Sequence, residues 1–247
     1  MENDVTTDAV LDGRLQLRQP RRGHRVGHDA ILLAALTQAS PGEHAVEFGA
    51  GVGAAGLALA QRCPGLTVTL IDNDPVLVAL AGENARMNGF DDRVRALLLD
   101  VAATPDRLAA ADRVLMNPPF NDATRHRGSP DQARHTAHVA TEETLQAWVH
   151  AARRLLRSNG VLTLIWRADG IADVMAALSR GFGSLVVLPV HGEAGKPAIR
   201  VLVRAVKGGR APTRLLPGLM LNEESVVPKK EVRDILEGRA ALPLAEP

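Results

Sequence analysis

The sequence predicts an α/β fold: a seven-stranded, mostly parallel sheet with an antiparallel last strand pair and helices on both faces. Three observations carry this prediction. Short apolar runs alternate with helical stretches from residue 45 to residue 166, the pattern of right-handed βαβ crossovers around a covered sheet. Turn and stop signals separate the runs, at Pro41-Gly42, Pro75, Asn88-Gly89 and Asn159-Gly160. The last two apolar runs are joined by a Gly/Pro-bearing loop too short for a helix, so they pair antiparallel.

Taken in order, residues 1 to 26 are polar and rich in arginine: Arg14, Arg18, Arg21, Arg22 and Arg25. Asp29 stands as a candidate N-cap before the helical run Ala30 to Leu36. Ala45 to Phe48 is a short strand, and a glycine cluster opens a helix that runs to Arg62. Leu66 to Asp72 is the second strand. Pro75 sits in the first turn of a helix that stops at Asn88-Gly89. Val94 to Leu99 and Arg113 to Met116 are the third and fourth strands. Residues 121 to 140 lack an apolar period and read as a long loop. An amphipathic helix from Glu142 to Ser158 leads to a fifth strand, Val161 to Trp166. Leu185 to Val190 and Ile199 to Val206 complete the sheet. The division is a basic arm with a leading helix (1–40), the main domain (41–206) and a proline-bearing tail (207–247), with a helical stretch at Lys229 to Leu236.

Composition narrows the function. The 247 residues are 46% hydrophobic and 23% charged, which excludes wholesale disorder. No apolar run is long enough to span a bilayer, and the acidic N-terminus is not a secretory signal, so a cytoplasmic protein with no membrane partner is expected. Cys63 is the single cysteine and makes neither an internal disulfide nor a zinc cluster. Net charge is +1, so binding to nucleic acid would need a local patch. Aromatic residues are 2%, too few for a platform that stacks many bases.

The segment from Glu47 to Gly56 places Gly49, Gly51, Gly53 and Gly56 between a strand and a helix. Such a turn brings ligand close to backbone at the positive end of a helix. Gly51, Gly53 and Gly56 match the spacing of dinucleotide folds; Glu47, Gly49, Gly51 and Gly53 match E-x-G-x-G-x-G. Asp72, ending the second strand, suits ribose hydroxyls in both readings. Glu47 would repel a pyrophosphate but pair with the ammonium of an amino-acid-like ligand. Asp100 ends the third strand, and Val101 beside it offers a face to an adenine.

Asn117-Pro118-Pro119-Phe120 follows the fourth strand directly. The prolines remove two backbone donors, leaving the Pro118 carbonyl free to face a ligand beside the Asn117 amide oxygen. Two adjacent acceptors match the two hydrogens of a planar exocyclic amine, and Phe120 offers a stacking ring. At this point the sequence resembles the class I S-adenosylmethionine-dependent methyltransferases of the N-P-P-[YF] type, which have a Rossmann-like fold. The resemblance implies N-methylation of adenine N6, guanine N2 or a protein glutamine. It assigns Glu47, Gly49, Gly51 and Gly53 to the methionine part of the cofactor, Asp72 to its ribose and Asp100 to its adenine. Asn117, Pro118 and Phe120 would hold the target amine.

The stretch Gln19-Pro20 and Gly23 to Ala34, with Ala133-Arg134-His135, is similar to bacterial tRNA adenine-N6 methyltransferases acting on valine tRNA. Two basic stretches fit such a partner: Arg21, Arg22 and Arg25 ahead of the fold, and Arg125, Arg127 and Arg134 after the acceptor segment. Each could instead be solvated surface. His126, His135 and His138 share one loop, but no cysteine joins them and methyl transfer needs no Lewis acid, so no metal is expected. A small-molecule O-methyltransferase would use the same cofactor half. An rRNA guanine enzyme shares the acceptor motif. A glutamine methyltransferase does too, but its helical N-terminal domain has no counterpart in residues 1 to 40. An NAD-dependent oxidoreductase is the remaining alternative.

Overall fold

The computed structural model describes residues 4–22, 25–119, 130–221 and 229–242, with backbone alone at 105–106, 130–141 and 229–231. Alternation in Leu15, Leu17 and Gln19 folds the basic arm into a hairpin. β1 (Val5–Val10) and β2 (Leu15–Pro20) pair antiparallel across a turn in which Gly13 takes φ 78°. Leu15 and Leu17 are fully buried and share a core with Leu32, Leu57 and Ala81. The helix after it, α1 (His28–Leu36), begins at Gly27 without a side-chain cap. Asp29 lies in its first turn and accepts from Arg200 Nε at 2.9 Å, so it is not the N-cap.

The sheet follows from β3 (His44–Phe48), β4 (Thr67–Asp72), β5 (Val94–Leu98), β6 (Ala111–Met116), β7 (Leu156–Arg167), β8 (Phe182–His191) and β9 (Ala198–Lys207). These are the seven predicted strands. Two strands of two residues each, β10 (Arg214–Leu215) and β11 (Leu219–Met220), pair parallel with β8 and bring the sheet to nine. The order is β10-β8-β9-β7-β6-β3-β4-β5, with β11 off this path on β8 and only β9 antiparallel to both its neighbours.

Among the described residues five helices join α1 around this sheet. On its side lie α2 (Ala54–Arg62), α3 (Pro75–Met87) and α6 (Lys229–Leu236), whose Leu57, Ala81 and Ile235 share a core with Leu32 and Ile165. On the other side, α4 (Pro130–Leu155) and α5 (Ile171–Leu178) cover Val46, Phe48 and Val114. α4 begins inside the stretch that reads as a loop. From 131 to 155 the sequence holds no Gly or Pro, so good helix formers carry the backbone where an apolar period is missing. Among the described residues no helix is long and apolar enough to cross a membrane.

Candidate functional site

The strand order reverses between β3 and β6, the topological switch point where open α/β sheets bind ligands. Register puts the two motifs side by side: Phe48 is opposite Met116, so the glycine turn and Asn117 leave the sheet as neighbours. Phe48 also faces Ile71, and Asp72 faces Leu98. Asn117, Gly49, Asp72 and the Leu98 to Asp100 stretch therefore form a row across four strands, about 14 Å long at ~4.8 Å per strand.

Each glycine of the turn has its own reason. Gly53 takes φ 88°, caps α2, and its absent Cβ would come within 2.7 Å of Leu70. Gly49 takes φ 62°, and a Cβ there would stand 2.4 Å from the Trp148 ring, which also meets Phe48 edge-on at 6.3 Å. Gly51 takes φ 56° with nothing within 4 Å of its missing Cβ, so the turn is open toward a ligand there. Gly49→Ala is expected to cost about 1–3 kcal/mol through overpacking and left-handed strain. Thermal melts of Gly49→Ala with and without Trp148→Leu test this: the cost should shrink once the ring is gone.

Glu47 is buried beneath the turn, where its Oε2 accepts from Gly56 N at 2.7 Å. Burial, helped by the charge of Asp72, pushes its carboxyl up to about 8 against the Gly56 and Ala55 N–H groups. Its first partner is thus the turn itself. Asp72 accepts from Gly51 N at 2.8 Å and from Asp74 N at 3.0 Å, leaving lone pairs for a further donor. Asp100 is exposed and caps a short 3-10 helix through Ala102 N at 2.7 Å. Val101 does not offer a face to the row; it packs in the core at 6% exposure. Leu98, opposite Asp72 and 57% exposed, offers an apolar face there, and Val76, 62% exposed, stands in the first turn of α3.

At the other end of the row, the Asn117 Oδ1 is buried with no hydrogen-bond partner among the described residues. Pro118 is buried next to it, and no described donor reaches its carbonyl. A buried acceptor normally finds a donor, so an unpaired one is unusual and costs free energy in the fold. Phe120, Arg125 and Arg127 lie outside the described residues, and Arg134 is placed by its backbone in α4 alone.

Geometry divides the basic arm. Arg14 donates to the Leu11 and Glu237 carbonyls, Arg18 pairs with Glu83 at 2.8 Å and Arg25 with Asp8 at 2.7 Å. Arg21 and Arg22 are exposed, and their side chains have no partner among the described residues. β2 runs along α3 from Asn88 toward Asn84, hence toward the α3 N-terminus at Asp74, so its end points to the edge that carries the glycine turn. Residue patterns do not reveal Trp148, although its i, i+3, i+4 spacing with Leu145 and Val149 marks the sheet-facing side of α4. Among the described residues no group of His, Cys, Asp and Glu is set to hold a metal.

A reversed-order parallel sheet with a glycine turn and an N-P-P segment at its switch point defines a Rossmann-like methyltransferase. The chain belongs to the methyltransferase small-domain family, which it matches over residues 27–192. It is 31% identical over 184 residues to a tRNA1(Val) (adenine(37)-N6)-methyltransferase of Porphyromonas gingivalis, covering 69% of each chain. The crystal structure of a predicted O-methyltransferase from Agrobacterium tumefaciens superposes at TM-score 0.72 with 29% identity, over 87% of this chain and 98% of that one. A Thermus thermophilus 16S rRNA methyltransferase, in complex with S-adenosylmethionine and guanosine, shares the fold. Its TM-score is 0.57 at 22% identity, over 82% of this chain and 50% of that one. The residues present fit S-adenosylmethionine as cofactor: the turn is open at Gly51, and carboxylates stand at Asp72 and Asp100.

Proposed function

We propose that the chain methylates an exocyclic amine of RNA, adenine N6 of a tRNA, in the cytoplasm. The unpaired, buried Asn117 Oδ1 beside the Pro118 carbonyl carries this reading, and the tRNA-modifying relative supports its substrate. When bound, S-adenosylmethionine supplies an electrophilic methyl group on a sulfonium. Gly49, Gly51 and Gly53 would hold its methionine part, with Glu47 as partner for the ammonium; Asp72 would take the ribose hydroxyls and Asp100 the adenine. Asn117 and Pro118 accept the two hydrogens of the target amine and aim its nitrogen lone pair. Phe120 stacks on the base. Bringing two substrates into line removes a large part of the barrier. The base must be presented from a loop or flipped out to reach this edge.

The Agrobacterium structure, a predicted O-methyltransferase, favours a second reading, O-methylation of a small molecule. Transfer of labelled methyl to purified tRNA, run beside a phenol panel, separates the two. Nucleoside mass spectrometry of the tRNA should then show N6-methyladenosine. Label on a phenol and none on RNA would overturn the assignment.

Arg21 and Arg22, with Arg25, Arg125, Arg127 and Arg134, would contact the phosphate backbone. Because Arg25 is already paired with Asp8, the first two carry the expected effect. Replacing both Arg21 and Arg22 by alanine should weaken tRNA binding and lower the salt slope by about 2, roughly one counterion per contact. Arg25→Ala should change it less. An unchanged slope in the double variant would remove the arm from the RNA interface.

A further inference from the structure

The hairpin and the glycine turn meet at one side chain. Asn84, on α3, is fully buried. Its Oδ1 accepts from Arg18 N at 2.7 Å, and its Nδ2 donates to the Arg18 carbonyl at 3.0 Å and to the Val52 carbonyl at 3.0 Å. The amide thus acts as a strand partner for β2 and, with its second N–H, ties down the glycine turn between Gly51 and Gly53. One turn further along α3, Asn88 repeats the first half of the pattern. It accepts from Gln16 N at 2.9 Å and donates to the Gln16 carbonyl at 2.7 Å, but its remaining bond goes to Asn84's own carbonyl. Two asparagines spaced i, i+4 on one helix face therefore clamp alternate residues of β2, and only Asn84 reaches the turn.

Every polar atom of Asn84 is matched to backbone. No other side chain offers this pattern at that length: aspartate keeps the acceptor but sets a carboxylate against two carbonyl oxygens. The turn's other side-chain partners are Asp72 at Gly51 and Glu47 at Gly56, while Ala50 N donates to the Ile71 carbonyl and Gly53 N to the Ala50 carbonyl. Val52, between them, has Asn84 as its side-chain donor among the described residues.

We propose that Asn84 is a positioning residue for methyl transfer, joining the basic hairpin and the cofactor turn into one unit so that cofactor affinity depends on a docked hairpin. This rests on the reading that the glycine turn seats the cofactor. Asn88→Asp serves as the control, because it loosens the same hairpin without touching Val52.

The test is S-adenosylhomocysteine binding by calorimetry to the full chain and to Asn84→Asp and Asn88→Asp, each checked by circular dichroism and a melt. Asn84→Asp loses both donated bonds and is expected to weaken binding about tenfold, the share that falls on the unpaired Val52 carbonyl in the turn, and Asn88→Asp less than about twofold. Equal affinity in a folded Asn84→Asp, or equal losses in both variants, would overturn the proposal. Amide hydrogen exchange of the parent protein supplies a readout that needs no variant. Saturating S-adenosylhomocysteine should slow exchange at residues 49–53 and also at Arg18 in β2. Slowing in the turn alone refutes the coupling; no slowing in the turn refutes the placement of the cofactor itself.

Discussion

Asn117→Ala is expected to cut methyl transfer by about 10²–10³-fold, the usual effect of deleting one preorganised polar group at a reacting centre, while S-adenosylhomocysteine binds within a few fold of the parent. The separation follows from position. Asn117 leaves β6 beside the glycine turn but forms no hydrogen bond to it, so removing its amide leaves the Gly51, Asp72 and Glu47 contacts in place. The same observation predicts an unusual stability result. A buried acceptor without a donor costs free energy in the folded state, so truncation removes that cost as well as some packing. The variant should melt at or near the parent temperature although it has lost activity, as expected where stability is traded for a preformed site. Single-turnover transfer, ligand titration and a melt on one preparation test all three. Retained turnover would leave the amine grip without its main acceptor. Lost ligand affinity would make Asn117 part of the cofactor site instead.

The parallel core was legible because its signals are local and redundant. Glycines, Pro75, Asn88-Gly89 and apolar runs each mark a boundary, and the alternation leaves few topologies. The row of Asn117, Gly49, Asp72 and Asp100 was legible for a related reason: in such sheets the carboxyl ends of parallel strands share one edge, so residues at those ends are brought together by topology alone. The hairpin was harder. Its period-two pattern lies in Leu15 and Leu17 between Gln16 and Arg18, and arginine content hides it. Asp12-Gly13 was the missed turn signal. The roles of Trp148 and Asn84 were not legible at all. Whether an aromatic fills the space left by a glycine, or an amide bridges two distant backbones, depends on contacts between residues 99 and 66 positions apart in sequence for Gly49–Trp148 and Arg18–Asn84. Val101 shows the converse: its place beside Asp100 gave it a ligand role, and its side chain turns into the core instead.

Glu47 yields the second large effect, one that depends on pH. Its carboxyl is pushed from an ordinary 4.5 to about 8, first by burial and next by Asp72. Between these values the folded chain holds a proton that the unfolded chain has lost. Stability from this group is therefore complete below pH 4.5 and drains away as pH rises to about 8, an amount of roughly 4–5 kcal/mol. Glu47→Gln keeps an oxygen for the Gly56 N–H but cannot titrate. Melts from pH 5 to pH 8 should show the parent losing stability relative to this variant; parallel curves would refute the raised carboxyl. Ligand binding tests its second role. An ammonium placed near Glu47 favours the carboxylate, so binding S-adenosylhomocysteine near pH 7 should expel a proton from the parent and none from Glu47→Gln. Calorimetry in two buffers of different ionisation enthalpy measures that release. If the pH-dependent melt appears without proton release, Glu47 holds the turn through Gly56 and the cofactor's ammonium lies elsewhere.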